Sequence, residues 1–158
     1  DERVLVVHGG IGRGGWTLDD LRQISRPLED PLPKWLHNIL WSDPIEDDAD
    51  IAHAVFGVHE SPRGGITDTF GWDVTKTFCA RNGIDLIVRS HQSKRGSIGF
   101  DIMHESRLMR VFSARDYEGH GNDGAVLNLV ASVQHPGLLF VRMQVLRSAV
   151  KLHDLEGV

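Results

Sequence analysis

Two short apolar runs, each ending in a histidine, constrain this chain more than any other feature. Val4-Leu5-Val6-Val7 leads into His8-Gly9-Gly10, and Ile84 with Leu86-Ile87-Val88 leads into Arg89-Ser90-His91. Runs of this length bounded by turn residues read as buried strands, and Asn82-Gly83 marks the stop of a preceding helix. Open α/β sheets collect ligands at the carboxyl ends of their strands, where loops diverge and leave a crevice. His8 and His91 are therefore candidates for one shared site.

Composition narrows the classes. At 158 residues and 41% hydrophobic, the chain has the size and apolar content of one ordinary domain and not of a disordered segment. No apolar run approaches the ~20 residues a membrane-spanning helix needs, and no charged-then-apolar signal peptide opens the sequence. The single cysteine, Cys79, excludes an internal disulfide and predicts a reducing, intracellular home, cytoplasmic or nuclear. A net charge of −5 gives no general attraction to nucleic acid. The chain enters its first strand directly after Asp1-Glu2-Arg3, without a methionine; that abrupt start predicts a piece of a longer polypeptide.

Between the two histidine-bearing strands lie helices and turns. Gly9 to Gly15 holds five glycines, a loop that must bend tightly or approach something closely. It is not a phosphate-binding P-loop, because no Gly-Lys-Ser/Thr follows. Thr17 with Asp19 and Asp20 reads as a helix start, stopped by Arg26-Pro27. Lys34 to Trp41 is a second short helix, with Trp35, Ile39 and Leu36, Leu40 on adjoining faces. Residues 46–65 are the least regular part: Glu46, Asp47, Asp48 and Asp50 form a solvated acidic loop, and Pro62-Arg63-Gly64-Gly65 a turn. A helix over 71–82 turns Val74, Phe78 and Cys79 inward and ends on Gly83. Residues 97–103 and 107–112 form a hairpin turning at His104-Glu105-Ser106, and 125–130 and 138–146 are further strands joined through His135-Pro136-Gly137. Helices early and strands late point to an α/β fold with a layered mixed β-sheet.

Several side chains carry chemistry. Neutral imidazole is a common ligand of zinc, iron and manganese. His8 and His91 are too far apart in sequence to form a short metal motif; singly each reads as a structural histidine, and only their shared strand-end setting makes them a pair. The remaining histidines, His37, His53, His59, His104, His120, His135 and His153, are expected at the surface. Arg63, on a glycine-flanked turn, can project a guanidinium whose planar fork suits phosphate, or can simply be solvated. Tyr117, the only tyrosine, can cap a pocket or pack a loop onto the sheet. Cys79 reads as a small core hydrophobe and not a nucleophile.

In this order, the pieces resemble the carboxyl-terminal half of the phosphoprotein phosphatase (PPP) family, the metal-dependent serine/threonine protein phosphatases related to calcineurin. The resemblance is carried by Val6 to Ile11, Thr17 to Arg22 with Arg26-Pro27, Leu40 to Pro44, and Arg63-Gly64 ahead of Thr69 to Gly71. Asp73-Val74, Phe78, Leu86 to Gln92, Phe112 to Ala114, Tyr117 and Gly124-Ala125 continue it. It runs from about residue 3 to residue 147, so that 1–150 corresponds to the later half of the catalytic domain and 151–158 to a tail. It implies a metallophosphoesterase-type β-sandwich with flanking helices, here an incomplete domain. It also implies a dinuclear site of two divalent or trivalent ions of the manganese, iron or zinc class. His8 and His91 then correspond to the two histidine ligands of the second metal, Arg63 to an arginine gripping the substrate phosphate, and Tyr117 to the tyrosine at the rim of the cleft. Asp43 takes a supporting role near the site. Partners implied are a phosphoprotein substrate and regulatory or scaffold subunits, with no nucleic acid and no membrane span.

The departures matter equally. The family's amino-terminal signatures, G-D-x-H-G, G-D-x-V-D-R-G and G-N-H-E, are absent, so this chain alone is expected to be inactive. Where the family reads Ala-Pro-Asn-Tyr-Cys, this chain has Ala114-Arg115-Asp116-Tyr117-Glu118, which changes the charge at the rim. Arg13, in the glycine loop, adds another cation close to His8 in sequence. An alternative reading is a non-catalytic phosphatase-like interaction or structural module in a larger assembly, since fold alone does not certify activity.

Overall fold

A computed structural model describes residues 3–46, 55–135 and 137–150. The acidic positions Asp47, Asp48 and Asp50, the histidines His53 and His153, and the 151–158 tail lie outside the described residues. In chain order the elements are β1 (Val4–Val6), α1 (Leu18–Arg22), α2 (Lys34–Trp41), β2 (Asp43–Pro44), β3 (Val58–Glu60) and β4 (Asp68–Phe70). There follow α3 (Trp72–Asn82), β5 (Leu86–Arg89), β6 (Phe100–Met103), β7 (Leu108–Val111), β8 (Gly124–Ala131) and β9 (Leu139–Leu146). The mixed α/β class with several sheets and few helices is as expected. No helix among the described residues is long and apolar enough to cross a membrane.

The chain divides into two compact units, one running to His91 and taking in Ile102–Met109, the other comprising Gln92–Asp101 and the residues from Arg110 onward. In the first unit β1 and β5 pair in parallel, with Val4 opposite Leu86, Leu5 opposite Ile87 and Val6 opposite Val88. The pairing continues past the strand ends, where the Val7 amide donates to the Val88 carbonyl and the Ser90 amide to the His8 carbonyl. These strands belong to a sheet ordered β1-β5-β7-β6, and the chain passes between the units within β6 and β7. Leu5, Ile11, Ile87, Phe70 and Phe78 lie in the buried core beneath.

Local chemistry explains the helices. Thr17 caps α1 through a reciprocal pair: its hydroxyl accepts from the Asp20 amide while the Asp20 carboxylate takes the Thr17 amide. Helix α3 ends at Gly83 in the left-handed region at φ 64°, as a residue without Cβ allows. Helix α2 buries Leu36 and Ile39, the expected positions, together with Asn38.

Strand β3 falls in the stretch expected to be least regular and joins a small sheet ordered β2-β4-β3. Strands of two or three residues are too short to show a period-2 pattern. One expectation is corrected. His104 is not at the surface. It is 1% exposed, with Nε2 on the Ile45 carbonyl at 2.8 Å and Nδ1 on the Thr75 hydroxyl at 2.7 Å. The hairpin tip does turn at His104, Glu105 and Ser106, all left-handed at φ 53°, 56° and 63°, and that bend tucks the imidazole inward. Of the other described histidines expected outside, His59 and His135 are exposed and His37 and His120 half-buried.

In the second unit β8 and β9 form an antiparallel ribbon from the Gly124–Leu146 pair to the Ala131–Leu139 pair. Because successive side chains alternate faces, this register gathers Leu127, Leu129, Val141, Met143 and Val145 on one side with no polar residue among them.

Candidate functional site

The parallel register of β1 and β5 sets the site. His8 and His91 each stand two residues past a strand end, and His91 Nδ1 lies 3.1 Å from His8 Nε2. The rings meet edge to face with centroids 4.9 Å apart. His91 has φ 58°, so the chain turns back toward His8 instead of continuing along the strand. His8 is held by the glycine loop. The Gly9 amide donates to the Ile39 carbonyl at 2.7 Å, and a Cβ on Gly9 would stand 2.6 Å from the backbone of Leu40 and Trp41. That close approach brings the end of α2 against the site, where the Trp41 ring meets His91 edge-on at 5.3 Å.

The pair suits a metal ion. Two nitrogens 3.1 Å apart have the span of two ligands on one cation, for bonds of about 2.0–2.1 Å. His91 Nε2 is buried without a hydrogen-bond partner, a costly arrangement for a structural histidine. Burial holds the His91 imidazole well below its ordinary pKa, down to about 4, against the opposing pull of Asp43. Among the described residues no group of three or more histidine, cysteine, aspartate or glutamate side chains is placed to hold a metal. The two imidazoles therefore fit part of a coordination sphere and not the whole of one.

Beside them one carboxylate gathers two arginines. Asp43, 6% exposed, accepts from Arg89 Nη2 at 2.7 Å on one oxygen and from Arg63 Nε at 2.6 Å on the other. Arg89 is sealed in the interior and also donates to the Gly9 carbonyl at 2.6 Å. Arg63 instead keeps 39% of its side chain exposed, on the turn closed by the Gly64 amide donating to the Ser61 carbonyl. The buried carboxylate thus fixes one arginine inside and steers the other outward. An open groove of about 490 Å³ adjoins Arg63, lined by His37, Trp41, Ile66 and Thr67.

The structure brings His8, His91, Asp43 and Arg63 into one region of the first unit. Tyr117 belongs to the second unit, 42% exposed at the start of a 3₁₀ turn, with its ring edge-on to Phe112 at 5.2 Å. Arg13 is drawn to Asp68, its Nε at 3.1 Å, alongside Lys34 Nζ at 3.0 Å and Asn38 Nδ2 at 3.1 Å. Cys79 is fully buried and burial pushes its thiol up to about 11, as a core hydrophobe requires. Sequence reasoning missed Arg89 and Trp41. The signal for Arg89 was present: an arginine closing a fully buried run has to be paired.

Strand-end histidines thus stand beside an arginine-bearing turn on a mixed α/β scaffold. The family profile for calcineurin-like phosphoesterases matches residues 1–95, and the chain belongs to that family. It is homologous over most of its length to serine/threonine-protein phosphatase 5. The tomato (Solanum lycopersicum) protein is 38% identical over 141 residues, 88% of this chain, and the Homo sapiens protein 35% identical over 136 residues, 85% of it. Among solved structures, a protein serine/threonine phosphatase from Saccharomyces cerevisiae with similarity to human phosphatase PP5 superposes with a TM-score of 0.69 at 29% identity. That match covers 92% of this chain and 44% of the yeast one. The chain spans 23% of the tomato relative and 25% of the human one.

Proposed function

We propose that this chain supplies part of the site of a protein phosphatase acting on phosphoserine and phosphothreonine, and that residues 1–150 are the later half of its catalytic domain. The observation that carries this reading is the approach of the His8 and His91 ring nitrogens to 3.1 Å beside the Asp43–Arg63 pair. His8 and His91 are the residues that would hold one of two metal ions, of the manganese, iron or zinc class. When bound, such ions acidify a water and offset negative charge on the phosphoryl group.

The chain's own residues grip and orient the phosphate. Arg63 commits Nε to Asp43, which leaves its terminal nitrogens to donate in parallel to two phosphoryl oxygens. Those bonds strengthen as charge builds on the oxygens in the transition state. Asp43 orients Arg63 without touching the phosphate, and Tyr117 contributes to the rim against which the peptide rests. Because two imidazoles complete neither coordination sphere, the chain by itself is inactive. The setting is intracellular, with a phosphoprotein as substrate and regulatory or scaffold subunits as partners.

The test is His91→Ala in the full-length protein, followed through phosphate release from a phosphoserine peptide and through bound metal by elemental analysis. Loss of both turnover and one metal equivalent is expected. Full turnover in that variant refutes the reading.

A further inference from the structure

The loop that carries Tyr117 is held by contacts the phosphatase reading does not use. Tyr117 is flanked by Asp116 at φ 54° and Glu118 at φ 50°, both left-handed and neither a glycine. Such conformations are disfavoured for a residue with a Cβ and persist only where the surroundings over-determine them. From inside the loop, Asn122, fully buried, accepts the Tyr117 amide at 2.9 Å and donates to the Ala114 carbonyl at 2.8 Å. From outside, the three residues that follow β9 fasten it. The Ser148 hydroxyl and the Ala149 amide, the latter at 2.9 Å, donate to the two oxygens of Asp116. The Ser148 amide donates to Asp123 at 2.7 Å, Arg147 reaches the same carboxylate at 3.1 Å, and Arg115 donates to the Arg147 carbonyl at 3.2 Å.

We propose that Arg147–Ala149 is a latch on the Tyr117 loop, and that Asp116 and Ser148 are positioning residues that set Tyr117 for the substrate peptide. The proposal rests on the reading of Tyr117 as a rim residue given above. Asp116 is the link: it is adjacent to Tyr117 in the chain, and its carboxylate bonds outward to the latch. Aspartate tolerates the left-handed region better than most residues with a Cβ, and the outward bonds hold Asp116 in it. The hydrogen bond from Ser148, followed by that from the Ala149 amide, keeps this carboxyl below the usual aspartate range, as a committed acceptor should be. Ser148 is 0% exposed, so water cannot replace its hydroxyl without the segment lifting away. Substrate affinity would then depend on how firmly the end of the ribbon is seated.

The experiment compares Ser148→Ala, Asp116→Ala, Asp116→Asn and Tyr117→Ala in the full-length protein. Two readouts are taken: amide hydrogen exchange across 113–122, and kcat and KM on a phosphoserine peptide. Ser148→Ala and Asp116→Ala should each speed exchange in the loop about tenfold, the loss of one charge-assisted hydrogen bond. They should raise peptide KM by a similar factor with kcat changed less than about twofold. Asp116→Asn, which keeps an acceptor and tolerates the left-handed region, should fall between Asp116→Ala and the parent. Asp116→Ala combined with Tyr117→Ala should be no worse than Tyr117→Ala alone. Unchanged loop exchange in both latch variants overturns the proposal. So does a KM raised by Tyr117→Ala but not by the latch variants. A Tyr117→Ala variant with unaltered KM overturns instead the rim role of Tyr117, while faster exchange in the latch variants still supports the latch.

Discussion

Asp43 bonds two arginines, and removing each should have a different consequence. Arg89→Met keeps much of the side-chain volume but deletes every donor. It strands a carboxylate oxygen of Asp43 and the Gly9 carbonyl, both inside the protein and both within 2.7 Å of a guanidinium nitrogen at present. Arg89 has no exposed side-chain surface and Asp43 8%, so water cannot take over. Breaking a buried pair from one side costs about 3–5 kcal/mol. Arg63→Ala breaks a bond to the same carboxylate of nearly the same length, 2.6 Å, but from an arginine 39% exposed. Pairs of that kind contribute at most about 1 kcal/mol after solvent screening.

All four tryptophans, Trp16, Trp35, Trp41 and Trp72, lie in the unit that holds both arginines, so urea unfolding followed by tryptophan emission reports on it selectively. With a urea slope of about 2 kcal/mol/M, Arg89→Met should lower the midpoint by about 2 M. Arg63→Ala should move it by less than about 0.5 M while abolishing most phosphate release from a phosphopeptide. Midpoints shifted equally by the two substitutions would refute the assignment of Arg89 to the scaffold and Arg63 to the phosphate.

Two further outcomes are expected. Gly9→Ala would push a methyl onto the backbone of Leu40 and Trp41, which cannot swing aside as a side chain can. It should destabilise this unit by about 1–3 kcal/mol in the same urea assay, and an unshifted midpoint would contradict the close packing of loop on helix. Burial alone would raise the Asp68 carboxyl, but the hydrogen bonds from Arg13 and Lys34 outweigh it and leave it below the usual range. With the folded value depressed, the unfolded chain takes up the proton first as pH falls. The contribution of Asp68 is therefore complete above the ordinary aspartate value of about 3.9 and fades below it, through the depressed folded value. The stability gap between the parent and Asp68→Asn should narrow over that interval; a gap constant with pH would show that Asp68 is not held ionised by these partners.

How much was legible follows from where each signal resides. His8 and His91 could be found because an apolar run that stops at a histidine is a local pattern. So could the Thr17 cap, the Gly83 stop and the hairpin tip at residues 104–106. The Asp68 cluster could not be read, since Arg13 and Lys34 reach it from 55 and 34 residues away in sequence. His104 was misplaced for a related reason. A hairpin tip is usually solvated, and only the approach of Thr75 and Ile45 from distant parts of the chain makes this one interior.

The histidine pairing itself depends on register, and that is where sequence and site connect. The parallel offset that puts Val6 against Val88 carries on to bring His8 beside Ser90, one residue short of His91. Had residue 91 stayed extended, its side chain would have stepped onward along the strand and away. The left-handed turn at φ 58° returns it to His8, and histidine is among the few non-glycine residues that tolerate this conformation. A slip of one residue between β1 and β5 would also send every core side chain of one strand to the opposite face. Leu5 and Ile87 lock the register by being buried, so the hydrophobic pattern that makes the sheet also sets the two strand ends side by side. The apolar residues that fold the strands thus bring the two halves of the site together, and the turn at His91 closes the remaining gap between the imidazoles.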